Sequence, residues 1–186
     1  MRIISGDCGG RIITPPKYFK DRPTTDLAKE SLFNILANRI DFEQITFLDL
    51  FSGTGSISYE MASRGCSNIT SVDINHKYVS YINSIFKTIF ADKKSLFALK
   101  ADVLKYIKNS NLNYDLIFAD PPYELEELNL IPELIFKNNS LKNNAIIIIE
   151  HSKTNDFSTN KYFVEQRKYG KVNFTFFEYK NESEEI

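Results

Sequence analysis

Asp49-Leu50-Phe51-Ser52-Gly53-Thr54-Gly55-Ser56-Ile57-Ser58 closes one apolar run and opens a helical one. Glycines at 53 and 55 let the backbone turn sharply and approach a ligand with no Cβ in the way. A Gly-x-Gly alone occurs in many tight turns, and two further residues sharpen it. Asp73 ends the next apolar run, 20 positions after Gly53, where a ribose hydroxyl pair needs an acceptor. The third glycine of the dinucleotide fingerprint is replaced by Ser58, which disfavours a pyrophosphate and hence NAD.

Outward from this turn, short apolar strands alternate with helices. Strands are expected at 46–51, 68–73, 96–100, 114–119 and 145–150. A helix between the second and third carries the stripe Val79, Ile82, Ile85, Phe86 and Ile89. Strands this apolar are buried on both faces, which requires a mostly parallel sheet with helices on either side. Residues 163–169 and 173–179 around Gly170 read as a closing antiparallel hairpin. Ahead of the sheet, 2–5 and 11–14 read as a small hairpin around Gly6, Gly9 and Gly10, ended by Pro15 and Pro16. A helix follows, with Thr25 or Asp26 as N-cap and Ala28, Leu32, Ile35 and Leu36 on its core face. The expected fold is a Rossmann-like, doubly wound α/β domain. It has a mostly parallel seven-stranded sheet, a C-terminal antiparallel hairpin and a short N-terminal hairpin-helix extension. Residues 1–40 form that extension, 41–180 the main domain, and 181–186 an acidic tail expected to be disordered.

A chain of 186 residues suits one well-buried domain. Cys8 and Cys66 make no disulfide framework and have no metal-ligand spacing, so a reducing compartment and no metal are expected. The longest purely apolar run, 145–149, is far short of a membrane span, and residues 1–10 have no signal-peptide core. A cytoplasmic protein is expected. The net charge of −1 argues against a nucleic-acid coat protein. Arg2, Arg11, Lys17, Lys20 and Arg22 nevertheless concentrate at the start, as local RNA phosphate contacts would require, although a solvated surface explains them equally well. Tyr18 and Phe19 would add stacking there, or else order a loop over a cofactor.

Asp49 stands just before the glycine turn, where a carboxylate repels a pyrophosphate but accepts from an amino acid ammonium. An acid-lined pocket of this kind complements S-adenosylmethionine, which is cationic and carries no phosphate. The alternative for Asp49 is a buried turn acceptor. Asp102 follows the third strand, where it either accepts from an adenine amino group or caps a helix. Phe51, Ile74 and Val103 stand beside these acids and complete the expected cofactor contacts.

The sharpest signal is Asp120-Pro121-Pro122-Tyr123, directly after the fourth strand. An exocyclic base amine is a poor nucleophile because its lone pair is delocalised into the ring. Asp120 and the Pro121 carbonyl can hold its hydrogens and turn the lone pair toward a methyl group. The prolines lock that carbonyl in place, and Tyr123 stacks on an extruded base. His151 is expected to be a surface or supporting histidine, and His76 a helix cap.

Asp120 to Tyr123 together with the turn at Asp49 to Gly55 resembles the class I amino-methyltransferases. Arg2-Ile3-Ile4-Ser5-Gly6, Gly10-Arg11, Arg22-Pro23-Thr24-Thr25-Asp26 and Glu30-Ser31-Leu32-Phe33-Asn34 are similar to the RsmD family, as are Ser63-Arg64-Gly65 and Tyr169-Gly170. The resemblance runs in family order over nearly the whole chain. It implies S-adenosylmethionine-dependent methylation of a guanine N2 in small-subunit ribosomal RNA, with Thr24 or Thr25 bonding the cofactor carboxylate. Two departures stand out: Asp73 where Glu is as common, and Ser58 with Tyr59 where small or apolar residues are typical.

Three rivals remain. A DNA adenine-N6 methyltransferase uses the same acceptors, but this chain has no sizeable insertion for target recognition. A catalytically idle RNA-binding assembly factor would have no need of Asp49, Gly53, Gly55, Asp73 and Asp120. An NAD-linked oxidoreductase fails on Ser58. The modest charge points to help in docking from proteins on the substrate, with naked ribosomal RNA and an assembled ribonucleoprotein particle both left open, and nothing demands more than a monomer.

Overall fold

The computed structural model describes residues 1–17, 19, 25–93 and 95–180. The expectations for Tyr18, Lys20, Arg22, Thr24 and the 181–186 tail lie outside those residues.

Helix α1 spans Asp26–Leu36, and the Thr25 side chain caps it by accepting from the Ala28 N–H. The sheet strands are β1 Thr46–Leu50, β2 Asn68–Asp73, β3 Ser95–Lys100, β4 Leu116–Ala119, β5 Ile146–His151, β6 Phe163–Tyr169 and β7 Val172–Glu178. Helices α2 Ser56–Ser63, α3 His76–Ile89, α4 Val103–Asn109 and α5 Ile131–Phe136 connect the parallel strands.

The strand order is β3-β2-β1-β4-β5-β7-β6. β1 to β5 run parallel, and β7 pairs antiparallel with both β5 and β6. The expected Rossmann-like, doubly wound sheet with its antiparallel hairpin is therefore observed. The order reverses between β1 and β4, so their carboxyl ends diverge and leave the crevice where such sheets take ligands.

Alternate strand residues fill two cores, because side chains alternate across a sheet. Phe47, Ile69, Leu116, Phe118 and Ile148 join α1, α2 and α3 on one face. Leu48, Val72, Ile117, Ala119, Ile147 and Ile149 join α4 and α5 on the other. Asp49 and Ser71 share the face of Phe47 and Ile69, which turns them toward α2.

Helix α2 is buried along its whole length, although it carries serines and a glutamate. The N-terminal residues cover its outer side and satisfy those groups. Ile4 and Ser5 N–H both donate to the Glu60 carboxylate, at 2.7 and 3.1 Å. Ser63 Oγ donates to the Ser5 carbonyl and accepts from the Cys8 N–H. Lys29, itself buried, donates to the Arg2 carbonyl at 2.6 Å and to Ser56 Oγ at 3.2 Å, with Glu60 3.9 Å away. Its ammonium pKa is lowered by burial, against the raising effect of Glu60 and Asp26. Arg64 closes the cluster on Glu60 at 2.8 Å.

Several expectations need correction. The expected hairpin of residues 2–5 and 11–14 is present but shorter, with one antiparallel bridge, Arg2 to Ile12. Ile3 N–H still donates to the Arg11 carbonyl and Ile13 N–H to the Met1 carbonyl, while Ile4 and Ser5 turn their N–H groups to α2. Asn75, not His76, caps α3, because its shorter side chain reaches the Lys77 N–H. His151 is no surface residue. It is fully buried on the α5 side, with Thr175 Oγ1 and the Ser152 carbonyl each 2.7 Å from a ring nitrogen, and burial lowers its pKa. Ile35 is only partly buried, and Phe33 takes its place in the core. Among the described residues, no helix is long and apolar enough to cross a membrane.

Candidate active site

The turn after β1 is built by backbone conformation. Phe51 adopts φ 58°, Gly53 φ 50° and Gly55 φ 84°. For a phenylalanine the left-handed region is strained, and strain of this kind gathers at functional sites. Ser52 N–H donates to the Val72 carbonyl and Gly55 N–H to the Ser52 carbonyl, which pins the turn against β2. The two glycines do different things. A Cβ on Gly55 would stand 2.7 Å from the Tyr59 ring and 2.9 Å from Ile82, so this residue is small for the sake of internal packing. A Cβ on Gly53 would meet only the Phe51 carbonyl, at 4.0 Å, so its outer side faces open space.

Asp49 is buried behind the turn. Ser58 Oγ donates to its Oδ2 at 2.5 Å, and Ser71 Oγ lies 2.7 Å from Ser58 Oγ. A hydroxyl has one proton, so Ser58 gives it to Asp49 and accepts from Ser71. Burial pushes the Asp49 carboxyl up to about 7, against the Ser58 hydrogen bonds that hold it down. Ser58 therefore has a definite partner, and no signal in the sequence pairs it with Asp49 or Ser71.

Asp73 braces the turn. One carboxylate oxygen accepts from Gly53 N–H at 2.9 Å and the other from Asn75 N–H at 2.7 Å. Asp102 caps α4 by accepting from Lys105 N–H at 3.0 Å, so the capping alternative is realised. Between Asp73 and Asp102, Ile74 is 64% exposed, at the mouth of the crevice, while Val103 is buried in the core of the second face.

Across the switch point, Asp120 N–H donates to the Leu50 carbonyl at 3.3 Å. The Pro122 carbonyl accepts from Leu125 N–H, and the Pro121 carbonyl has no partner among the described residues. Pro121 is buried, whereas Pro122 and Tyr123 are exposed. Burial pushes the Asp120 carboxyl well above the ordinary carboxylate range, and the charges of Glu150 and Asp49 push it further. Glu150 is the penultimate residue of β5, one register step beyond the Ala119 to Ile149 pair. Its Oε1 lies 3.5 Å from the Tyr123 hydroxyl, which places it in this constellation although its position at a strand end gave no hint of it.

These residues fit a cation-bearing amino acid cofactor. Asp73, Asp102 and Asp120 stand at or just after the carboxyl ends of β2, β3 and β4, Asp49 is buried behind the turn after β1, and Gly53 leaves open space at that turn. Ser52 Oγ at the turn is buried with no hydrogen-bond partner among the described residues, as a polar ligand site leaves it. Of the basic candidates, Arg2, Arg11 and Lys17 are exposed, and Arg2 pairs with Asp26 at 3.5 Å.

The family described as Conserved hypothetical protein 95 matches residues 1–178. The ribosomal RNA small subunit methyltransferase D of Buchnera aphidicola is 34% identical over 83% of this chain and 77% of its own. This chain belongs to that family. The Escherichia coli protein of the same name is 28% identical over 86% of this chain and 78% of its own. A solved Escherichia coli chain carrying a provisional methyltransferase name shares the fold, with a TM-score of 0.82, 24% identity and coverage of 98% and 99% of the two chains. The fold also matches an RNA methyltransferase of Salinibacter ruber in complex with S-adenosyl-L-homocysteine. There the TM-score is 0.65 at 12% identity, over 89% of this chain and 98% of that one. Membership makes this chain a methyltransferase.

Proposed function

We propose that the protein transfers a methyl group from S-adenosylmethionine to the exocyclic N2 amine of a guanine in small-subunit ribosomal RNA. One observation carries the reading: Asp120-Pro121-Pro122-Tyr123 and the Asp49 to Gly55 turn stand on neighbouring strands at the switch point of the sheet. The names of the family's curated members support the ribosomal RNA substrate.

S-adenosylmethionine, when bound, supplies a methyl group on a cationic sulfur that an amine lone pair displaces directly. Asp49 faces its ammonium, and Thr24 or Thr25 its carboxylate. The Thr25 hydroxyl already accepts from Ala28 N–H and still has a proton to donate. Asp73 accepts from the ribose and Asp102 from the adenine amine, while Phe51, Gly53, Gly55, Ile74 and Val103 shape the pocket. Asp120 and the Pro121 carbonyl orient the target amine. Ionised Asp120 or solvent then takes the proton the methylated nitrogen sheds. Tyr123 covers the face of the base, which has to leave any helix to reach the site. Positioning supplies most of the acceleration. The extension of residues 1–40 acts as lid and RNA contact, through Arg2, Arg11, Lys17, Lys20 and Arg22. Docking on a ribonucleoprotein particle compensates for the low net charge.

The test is transfer of labelled methyl groups to ribosomal RNA from cells lacking this protein, as naked RNA and as particles, with Asp120→Ala for comparison. Label recovered as N2-methylguanosine from small-subunit RNA, and lost in the variant, supports the reading. Label in DNA as N6-methyladenine, or no transfer to either RNA form, overturns it.

A further inference from the structure

We propose that Glu150 accepts the N1–H of the target base and thereby selects guanine over adenine. This rests on the guanine-N2 reading above and adds the residue that would enforce it. β4 and β5 run parallel in register, so the Asp120 and Glu150 carboxyls emerge side by side at the carboxyl edge of the sheet. Glu150 lies on the Ile146 and Ile148 side of its strand, as Asp120 does relative to Leu116 and Phe118. Glu150 is 4% exposed, and its carboxylate accepts from the Tyr123 hydroxyl at 3.5 Å, so it lies at the hydroxyl end of the ring against which the base would stack.

Glu150 adds a third acceptor beside Asp120 and the Pro121 carbonyl. An amino group has two hydrogens to offer while its lone pair attacks, and Asp120 and the Pro121 carbonyl take both. Guanine carries one more donor beside its N2 amine, the N1–H. Adenine presents a lone pair at the corresponding N1, next to its N6 amine. A carboxylate oxygen at that point bonds guanine and repels adenine. Sites built around a hydrogen-bond donor of the substrate reject analogues lacking it, because the site's own polar group is left unpaired.

The experiment uses the full-length protein and the guanine mapped by the labelling described above, presented in whichever form the wild type methylates. That guanine is replaced by 2-aminopurine, which keeps the N2 amine and has a bare N1 lone pair. Wild type is expected to use the 2-aminopurine substrate on the order of 10- to 100-fold less efficiently in kcat/KM, as for loss of one specific base contact. In Glu150→Gln the amide can donate to that lone pair, so the ratio of 2-aminopurine to guanine use should rise by about tenfold or more. Cofactor binding and the melting temperature of the variant are measured alongside. Equal use of both bases by wild type overturns the proposal with no variant needed. So does a variant that binds cofactor and loses activity on both bases equally. Failure to methylate any guanine in ribosomal RNA would already have appeared in the labelling experiment, and it sinks the underlying reading instead.

Discussion

Ser58 Oγ lies 2.5 Å from Asp49 Oδ2 and 2.7 Å from Ser71 Oγ, so a helix and a neighbouring strand together hold the buried acid behind the glycine turn. The carboxyl sits at about 7 because burial outweighs those bonds. A cofactor ammonium needs the ionised form. S-adenosylmethionine affinity is therefore expected to be level above about pH 7 and to weaken progressively below it. Asp49→Asn should bind weakly and without that slope, and Ser58→Ala should move the slope to higher pH. Calorimetric titrations across the range would check this.

The same shift has a consequence for stability without cofactor. A carboxyl whose folded pKa is raised keeps its proton in the folded state after the unfolded chain has released it. Its favourable contribution is complete below the unfolded value of about 4 and is lost as pH rises toward about 7. The melting temperature of wild type should thus fall relative to Asp49→Asn across that window. A constant difference would contradict the assignment.

Asp120→Ala removes an acceptor that matters most when the amine attacks. Its kcat is expected to drop by on the order of 100- to 1000-fold. Asp120→Asn keeps a carbonyl oxygen in place and should lose only about tenfold. Because burial holds the Asp120 carboxyl high, wild-type kcat should also climb with pH. That limb should vanish in the Asn variant, as single-turnover assays would reveal.

Gly53 and Gly55 should respond differently to alanine. Gly55→Ala drives a methyl into Tyr59 and Ile82 at a left-handed residue, and the folded protein should lose about 2 kcal/mol or more in urea titrations. Gly53→Ala meets only the strain of its φ, about 1 kcal/mol, because the space beside it is open. Its effect should appear in cofactor affinity.

The Glu60 cluster makes a prediction about the N-terminus. Glu60→Ala leaves buried Lys29 without its counter-charge and frees the N–H groups of Ile4 and Ser5. Breaking a buried ion pair costs about 3–5 kcal/mol. Limited proteolysis should then cut first within residues 1–13. Arg2→Ala, which breaks an exposed pair with Asp26, should change stability by under about 1 kcal/mol.

Much of this molecule was legible in the chain itself. The five apolar runs, their spacing and the closing hairpin follow from patterning, because inner parallel strands are buried on both faces, although β3, expected to be buried likewise, is the sheet edge and buries only Ala98. The Asp49 to Gly55 turn and Asp120 to Tyr123 are local motifs, whose chemistry depends on adjacent residues and a strand end. The N-terminal hairpin was legible from its glycines and alternation, and Ile3 and Ile13 do bond across it, but nothing local showed that Ile4 and Ser5 give their N–H groups to a helix more than fifty residues away.

What only the tertiary structure decided is which distant polar groups meet. Strand order brings Glu150 beside Asp120 and Tyr123, helix packing brings Ser58 onto Asp49, and the N-terminal cover gives Glu60 its donors. Hydrophobic periodicity constrains which face of an element is buried. It carries no information about which buried polar groups become neighbours, since that depends on register and packing between elements far apart in sequence.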